Sequence, residues 1–86
     1  MRHARAEDLD RLEPLLARLR AFSSLTERSR GVFYRKGQAF LHFHADPAGL
    51  FADVRAAQGS DFDRIKVDEP AGADALVTHV GRLLAG

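Results

Sequence analysis

Cysteine and tryptophan are both absent from this sequence of 86 residues. Without thiols the chain forms no disulfides, thiolate zinc sites or iron–sulfur clusters, and we expect a cytoplasmic location. No apolar run approaches the ~20 residues that span a bilayer, and no apolar stretch follows the basic N-terminus to form a secretory signal. We therefore expect one domain, residues 1–86, with no membrane contact.

Net charge is also small. The chain carries 13 basic and 12 acidic residues, a formal charge of +1, so nucleic-acid binding is expected to be weak. The charges are divided unevenly, with nine basic and five acidic residues in 1–43 and four and seven in 44–86. We interpret this as an imbalance on solvated faces, with orientation of a partner or a second copy as the alternative.

Helical patterns lie at the two ends of the chain. Leucines recur at helical spacing over residues 6–22, and Pro14 should kink this helix or split it after Leu12. A second apolar stripe over residues 70–86 begins at Pro70, a residue suited to a first helical turn. The polar segment 23–31, which ends in Gly31, is typical of a loop.

Four strands are predicted between the helices. Lys36 and Gly37 separate two β-rich runs as a tight hairpin would, which places Phe33 opposite Phe40. A four-residue loop over 45–48 leads to a third strand and places Asp53 opposite Phe40, and a turn over 57–61 leads to a fourth. The fold class is therefore α+β, a two-layer α-β-β-β-β-α chain whose four-strand antiparallel meander has both helices on one face.

Alternation along these strands separates two faces of the sheet. One face is almost wholly apolar and should lie beneath the helices. The other face is mixed and holds the candidate ligand or interface residues, which are Phe33, Phe40, His42, His44, Phe51 and Asp53. Three phenylalanines grouped on an uncovered face need a cover, because large exposed apolar patches usually mark interfaces or ligand grooves. We expect a second copy of the chain to provide it, as a homodimer.

The stretch FLHFHADPAG poses the main chemical question. His42 and His44 should lie ~6–7 Å apart on one strand face, a spacing that lets two imidazoles share a metal ion, with Asp46 or Asp53 nearby. A tight site needs a third and a fourth ligand, and the sequence places neither firmly. We therefore expect no metal and no cofactor, and interpret the pair as surface or interface histidines, with a ligand-contacting or catalytic role as the alternative.

Other chemistry is sparse. The serines have no neighbouring histidine or aspartate motif that would support nucleophilic catalysis. Basic residues interleave with aromatic ones around the first strand, at Arg28, Arg30, Tyr34, Arg35 and Lys36. Such a pattern can bind single-stranded nucleic acid, but we interpret it as solvated arginines beside a core tyrosine and keep nucleic-acid binding as the alternative. Catalytic residues are unknown.

The run GVFYRKGQAFLHFHADPAGLFADVR resembles small bacterial proteins that have a leading helix, an FxRxGxAFxHFH-type hairpin and a closing helix. In layout it is also similar to the MmcQ/YjbR-like group, which has been suspected of binding DNA. The resemblance implies an α+β fold and assigns no functional residue. We expect a non-enzymatic binding or self-association module, with a small-ligand or metal-dependent site at His42, His44 and Asp53, or weak nucleic-acid binding, as the alternatives.

Overall fold

The computed structural model describes residues 2–57 and 61–85. Within them the chain forms three helices, α1 (Ala6–Arg11), α2 (Glu13–Arg20) and α3 (Pro70–Ala85). It also forms six strands, β1 (Arg2–His3), β2 (Thr26–Ser29), β3 (Val32–Arg35), β4 (Gln38–Asp46), β5 (Gly49–Arg55) and β6 (Phe62–Lys66). The predicted α+β class is confirmed. In the described part of the chain, every helix is too short or too polar to cross a membrane.

The N-terminal helical segment is divided at Leu12, as Pro14 predicted. Leu12 leaves helical geometry, with φ −93° and ψ 1°, and separates α1 from α2. Pro14 then lies in the first turn of α2, where its missing N–H removes no helical hydrogen bond. The leucine stripe of both helices is buried, and it consists of Leu9, Leu12, Leu15, Leu16 and Leu19.

The sheet is antiparallel and larger than predicted. Strands β2 to β6 are neighbours in sequence order, and β1 pairs with the far half of β4. The prediction of a loop over 23–31 is wrong for β2, in which Thr26 pairs with Tyr34 and Glu27 with Phe33. The sequence of β2 is polar because it is an edge strand, and its pairing with β3 decides its conformation.

A β-bulge corrects the predicted register of the β3–β4 hairpin. Arg35 pairs with Gln38 and Tyr34 with Ala39 around the Lys36-Gly37 turn, as predicted. Both turn residues have positive φ, 53° and 79°, which glycine adopts without steric cost. Phe33 then pairs with Leu41, not with Phe40, because Phe40 is an extra residue in β4.

The β4–β5 turn is shorter than predicted. Asp46 pairs with Gly49 around a two-residue loop, in place of the predicted four-residue loop over 45–48. The amide of Ala48 donates a hydrogen bond to Asp46 Oδ1 at 2.7 Å, which stabilises this tighter turn. The register therefore shifts by two residues, so every side chain of β5 keeps its predicted face while its partner on β4 changes. Residues 58–60 of the predicted turn before β6 lie outside the described residues.

One core joins the three helices to one face of the sheet. Leu41, Phe43, Leu50, Ala52 and Val54 supply the sheet side of this core, as predicted, and the helices supply leucines together with Val80. At Gly72, near the start of α3, a Cβ atom would lie 2.0 Å from the carbonyl oxygen of Lys66. The absence of a side chain there lets α3 lie against the end of β6. The opposite face of the sheet carries the candidate site.

Candidate functional site

Strand β4 presents His42 and His44 on the face of the sheet away from the helices. Phe43, between them, points into the core, and both histidines are half-buried. Their ring centroids lie 4.8 Å apart in an edge-to-face arrangement. The strand thus places the two imidazoles on one face, as the sequence predicted, and brings their rings closer together than the spacing of residues along a strand requires.

Strand β5 adds a buried carboxylate to this pair. Asp53 pairs with His42 in the β4–β5 register, and the prediction that it lies opposite Phe40 is wrong because the turn is two residues shorter. Asp53 is only 6% exposed, and its Oδ2 lies 3.0 Å from His44 Nε2. One ligand atom from each of His42, His44 and Asp53 lies within 4.8 Å of the other two. The third potential ligand that the sequence did not place is therefore present.

A third histidine comes from the N-terminal strand. Strand β1 pairs with β4 beyond the end of β3, and His3 lies directly opposite His44. Its ring centroid is 4.9 Å from that of His44 and 6.2 Å from that of His42. The pairing continues at Ala4, whose amide donates to the carbonyl of Phe43 at 3.1 Å. No local pattern near His3 indicates this contact, since a two-residue strand has no periodicity.

Arg64 on β6 holds the carboxylate in place. Its Nε donates to Asp53 Oδ1 at 2.8 Å, and its terminal nitrogen donates to Oδ2 at 3.0 Å. This two-pronged hydrogen bonding lowers the pKa of Asp53, although burial acts in the opposite sense. Asp53 is therefore an anion. Alternation along β6 places Arg64 on this face, so the sequence contained a signal that we did not use.

The environment of His42 favours the neutral form of its ring. Burial lowers the pKa of His42, the nearby His44 adds to this effect, and the charge of Asp53 opposes it. Its Nδ1 atom is buried and lacks a hydrogen-bond partner among the described residues. Depending on the tautomer, this nitrogen carries either a free lone pair or an N–H group without an acceptor. Buried polar atoms in proteins usually have a hydrogen-bond partner, so either state is unusual.

The predicted cluster of phenylalanines on this face is wrong for two of its three members. Phe33 is 1% exposed and Phe40 is 3% exposed, both within the core, because the bulge moves them to the helix side. Phe51 does lie on the open face and is half-buried opposite Lys66. Phe62, which we did not single out, is 36% exposed, with its ring 5.2 Å from that of His42.

The basic residues around β3 are not gathered into one surface. Arg30 forms ion pairs with Asp10 and Glu13, and Arg28 lies over the ring of Tyr34 at 4.4 Å. The other two, Arg35 and Lys36, line a cavity elsewhere, at the hairpin end of the sheet. Weak binding of nucleic acid stays a prediction.

Comparison with known proteins adds no assignment: no protein-family model, curated protein or solved structure matches this chain. The likeness to the FxRxGxAFxHFH hairpin proteins and to the MmcQ/YjbR-like group stays a prediction. The function is therefore argued from the site itself.

Proposed function

We propose that this protein is a small binding module that holds a divalent transition-metal ion on the open face of its sheet. The observation that carries the proposal is the convergence of His42, His44 and Asp53, whose ligand atoms lie within 4.8 Å of one another. Ligand atoms around a tetrahedral zinc ion with bonds of about 2.0–2.1 Å are roughly 3.4 Å apart. Small rotations of the side chains would therefore close this group around an ion.

The donor types favour zinc or a related first-row metal. Imidazole nitrogens suit zinc, copper, iron and nickel, whereas calcium and magnesium prefer sites made wholly of oxygen atoms. The lowered pKa of His42 keeps its ring neutral, which is the form that binds a metal. A metal ion could bind the buried Nδ1 atom of His42 directly or after the ring has turned. In either case it would supply the partner that this nitrogen lacks.

The surroundings of the site resemble the outer shell of metal centres. Ligating carboxylates are commonly hydrogen-bonded by a neighbouring side chain that orients them, and Arg64 does this for Asp53. The guanidinium also repels a cation, so we expect an affinity in the micromolar range and not the tight binding of a structural zinc site. His3, beside His44, is the fourth ligand in this proposal. With His3 bound the site would be closed, and with His3 displaced it would keep an open position for a ligand.

Metal analysis tests the proposal. Protein purified without an affinity tag should take up one equivalent of Zn²⁺ in a calorimetric titration. His42→Ala and His44→Ala should each weaken binding at least about tenfold, because outer-shell losses alone already cost that much. His79→Ala is the matched control, since His79 also lies near a carboxylate, 3.3 Å from Asp63, but outside the group. Uptake that is absent at millimolar Zn²⁺, or that falls equally in the control, would contradict the proposal.

A second proposal is self-association through the same open face, which is the function predicted from the sequence. Two of the phenylalanines behind that prediction are in the core, but Phe62 is a large apolar residue exposed on this face, and Phe51 lies half-buried there. Exposed apolar area supports an interface more readily than a polar surface does. The oligomeric state tests this proposal and is considered with the whole molecule below.

A further inference from the structure

A cavity of about 490 Å³ lies at the hairpin end of the sheet, apart from the histidine group. The turn between β3 and β4, the end of β5 and the last turns of α3 form its walls. The half-buried Leu83 provides apolar surface next to the core residue Phe40. The volume lies within the range of about 300–1,000 Å³ that is typical of small-molecule sites.

The charge of this cavity is of one sign. Its lining includes four cations, Arg35, Lys36, Arg55 and Arg82, and no aspartate or glutamate among the described residues. Within the same part of the chain, none of these four forms an ion pair, whereas Arg2, Arg18, Arg20, Arg30, Arg64 and Lys66 each have an acidic partner. Uncompensated positive charge with low-dielectric walls attracts an anion.

The guanidinium groups are held in place by the backbone. Arg55 Nε donates to the carbonyl of Ala39 at 2.7 Å, and one terminal nitrogen of Arg35 donates to the carbonyl of Leu83 at 3.3 Å. The bond from Arg35 satisfies the carbonyl of Leu83 in the last turn of α3. The C-terminal end of a helix carries a partial negative charge that would otherwise repel an anion. Arg35 Nε is buried and lacks a partner among the described residues. The two backbone bonds hold these guanidinium groups at the wall of the cavity before any ligand binds.

We propose that this cavity binds the phosphate group of a small phosphorylated organic molecule. Several cationic donors suit an anion with several acceptor oxygens, and arginine forks match phosphate geometry. The volume exceeds what inorganic phosphate needs, and the apolar wall at Phe40 and Leu83 suits the organic part of such a ligand. The lining of this cavity includes none of the proposed metal ligands, so the inference is independent of the proposed metal site.

Adenosine monophosphate and pyrophosphate are suitable probes, with adenosine as the uncharged comparison. The titrations should use His42→Ala protein, because a phosphate could otherwise bind through a metal ion at the histidine group. We expect saturable binding of AMP and pyrophosphate and none of adenosine. Lys36→Gln with Arg82→Gln should weaken binding at least about tenfold, which corresponds to about 1.4 kcal/mol. Both side chains are exposed and the backbone bonds of Arg35 and Arg55 are kept, so the double variant should fold.

Arg5→Gln with Arg11→Gln is the matched control. It removes the same charge from two other exposed arginines, outside the cavity. The control should change the affinity for AMP by less than about threefold, the effect of a distant exposed charge. An equal loss in both double variants would show diffuse attraction and overturn the proposal. So would the absence of saturable binding at millimolar AMP, or tighter binding of a single-stranded oligonucleotide than of AMP at ~150 mM salt.

Discussion

Asp8 connects the N-terminal strand to the first helix. Its Oδ2 accepts a hydrogen bond from Arg2 at 2.8 Å and one from the backbone amide of Arg5 at 3.0 Å, at the start of α1. The side chain is buried, and these bonds lower the pKa of Asp8, that from Arg5 most and that from Arg2 next. Because β1 carries His3, Asp8 also helps to position the third histidine of the candidate site.

We predict that Asp8→Ala lowers the free energy of unfolding at pH 7 by about 1–2 kcal/mol, the usual value for a capping or charge-assisted bond. A carboxyl group whose pKa is lowered by folding stabilises the protein above its ordinary pKa, and this contribution is lost as the pH falls through the lowered value. Urea unfolding should therefore show a difference between wild type and variant that is full at pH 7 and declines below about pH 4.

The control for Asp8 is Asp10→Ala. Asp10 is exposed on the same helix, and its ion pair with Arg30 is on the surface, so a loss of at most about 1 kcal/mol is expected. A difference between wild type and Asp8→Ala that stays constant from pH 7 to pH 2 would contradict the role of the charged carboxylate.

At the scale of the element, the bulge in β4 decides which aromatic residues are buried. An extra residue in one strand changes the face of every side chain on one side of it. Here Phe40 is that residue, so Phe33 pairs with Leu41 and both phenylalanines enter the core. The same bulge removes two of the three predicted phenylalanines from the face that carries His42, where Phe51 and Phe62 are the remaining aromatic neighbours of the polar group.

We predict that Phe40→Ala lowers the free energy of unfolding by about 3–5 kcal/mol, the usual loss for a buried phenylalanine. Phe62→Ala is the matched control. Phe62 is 36% exposed and contacts Arg55 through a cation–π interaction, so its loss should cost no more than about 1 kcal/mol. Equilibrium unfolding in urea measures both. An equal loss of unfolding free energy in the two variants would show that Phe40 is not more deeply buried than Phe62, and would contradict the role given to the bulge.

At the scale of the whole molecule, the helices cover one face of the sheet and leave the other open. The covered face supplies the apolar core, whereas the open face carries the histidine group and Phe62. Phe62 is on β6, at the edge of the sheet, so any partner would meet it together with His42. Metal binding and self-association are therefore proposals about one surface.

We predict that the protein forms a dimer through this face at tens of micromolar. Light scattering should give about twice the monomer mass of 9.5 kDa, and Phe62→Asp should reduce it to the monomer mass. Phe62 is the better probe than Phe40, because an aspartate at the buried position 40 would unfold the core. The circular dichroism of Phe62→Asp should stay helical.

A wild-type mass near 9.5 kDa over this concentration range would rule the dimer out. Repeating the measurement with one equivalent of Zn²⁺ would separate the two proposals. A dimer that needs zinc would place the metal at the interface, and one that forms equally without it would leave the two functions independent.

Local patterns in the sequence were enough for the helices and for most of the strands. Pro14 predicted the break between α1 and α2, and the leucine spacing predicted their buried side, because both effects act within a few residues. Lys36-Gly37 predicted the hairpin turn, and alternation placed His42 and His44 on one face. The sequence by itself therefore determined the α+β class and the shared face of His42 and His44.

Tertiary structure alone decided which residues meet at that site. A single extra residue at Phe40 moved two phenylalanines into the core, and a turn two residues shorter brought Asp53 opposite His42. His3 joins the group because β1 pairs with the half of β4 that lies beyond the end of β3. No sequence pattern near His3 indicates this pairing. Strand register and edge pairing depend on hydrogen bonds between distant segments, whereas helix and turn signals are local. The sequence therefore determined what short-range interactions decide, and the tertiary structure decided what depends on contacts between residues far apart in the chain.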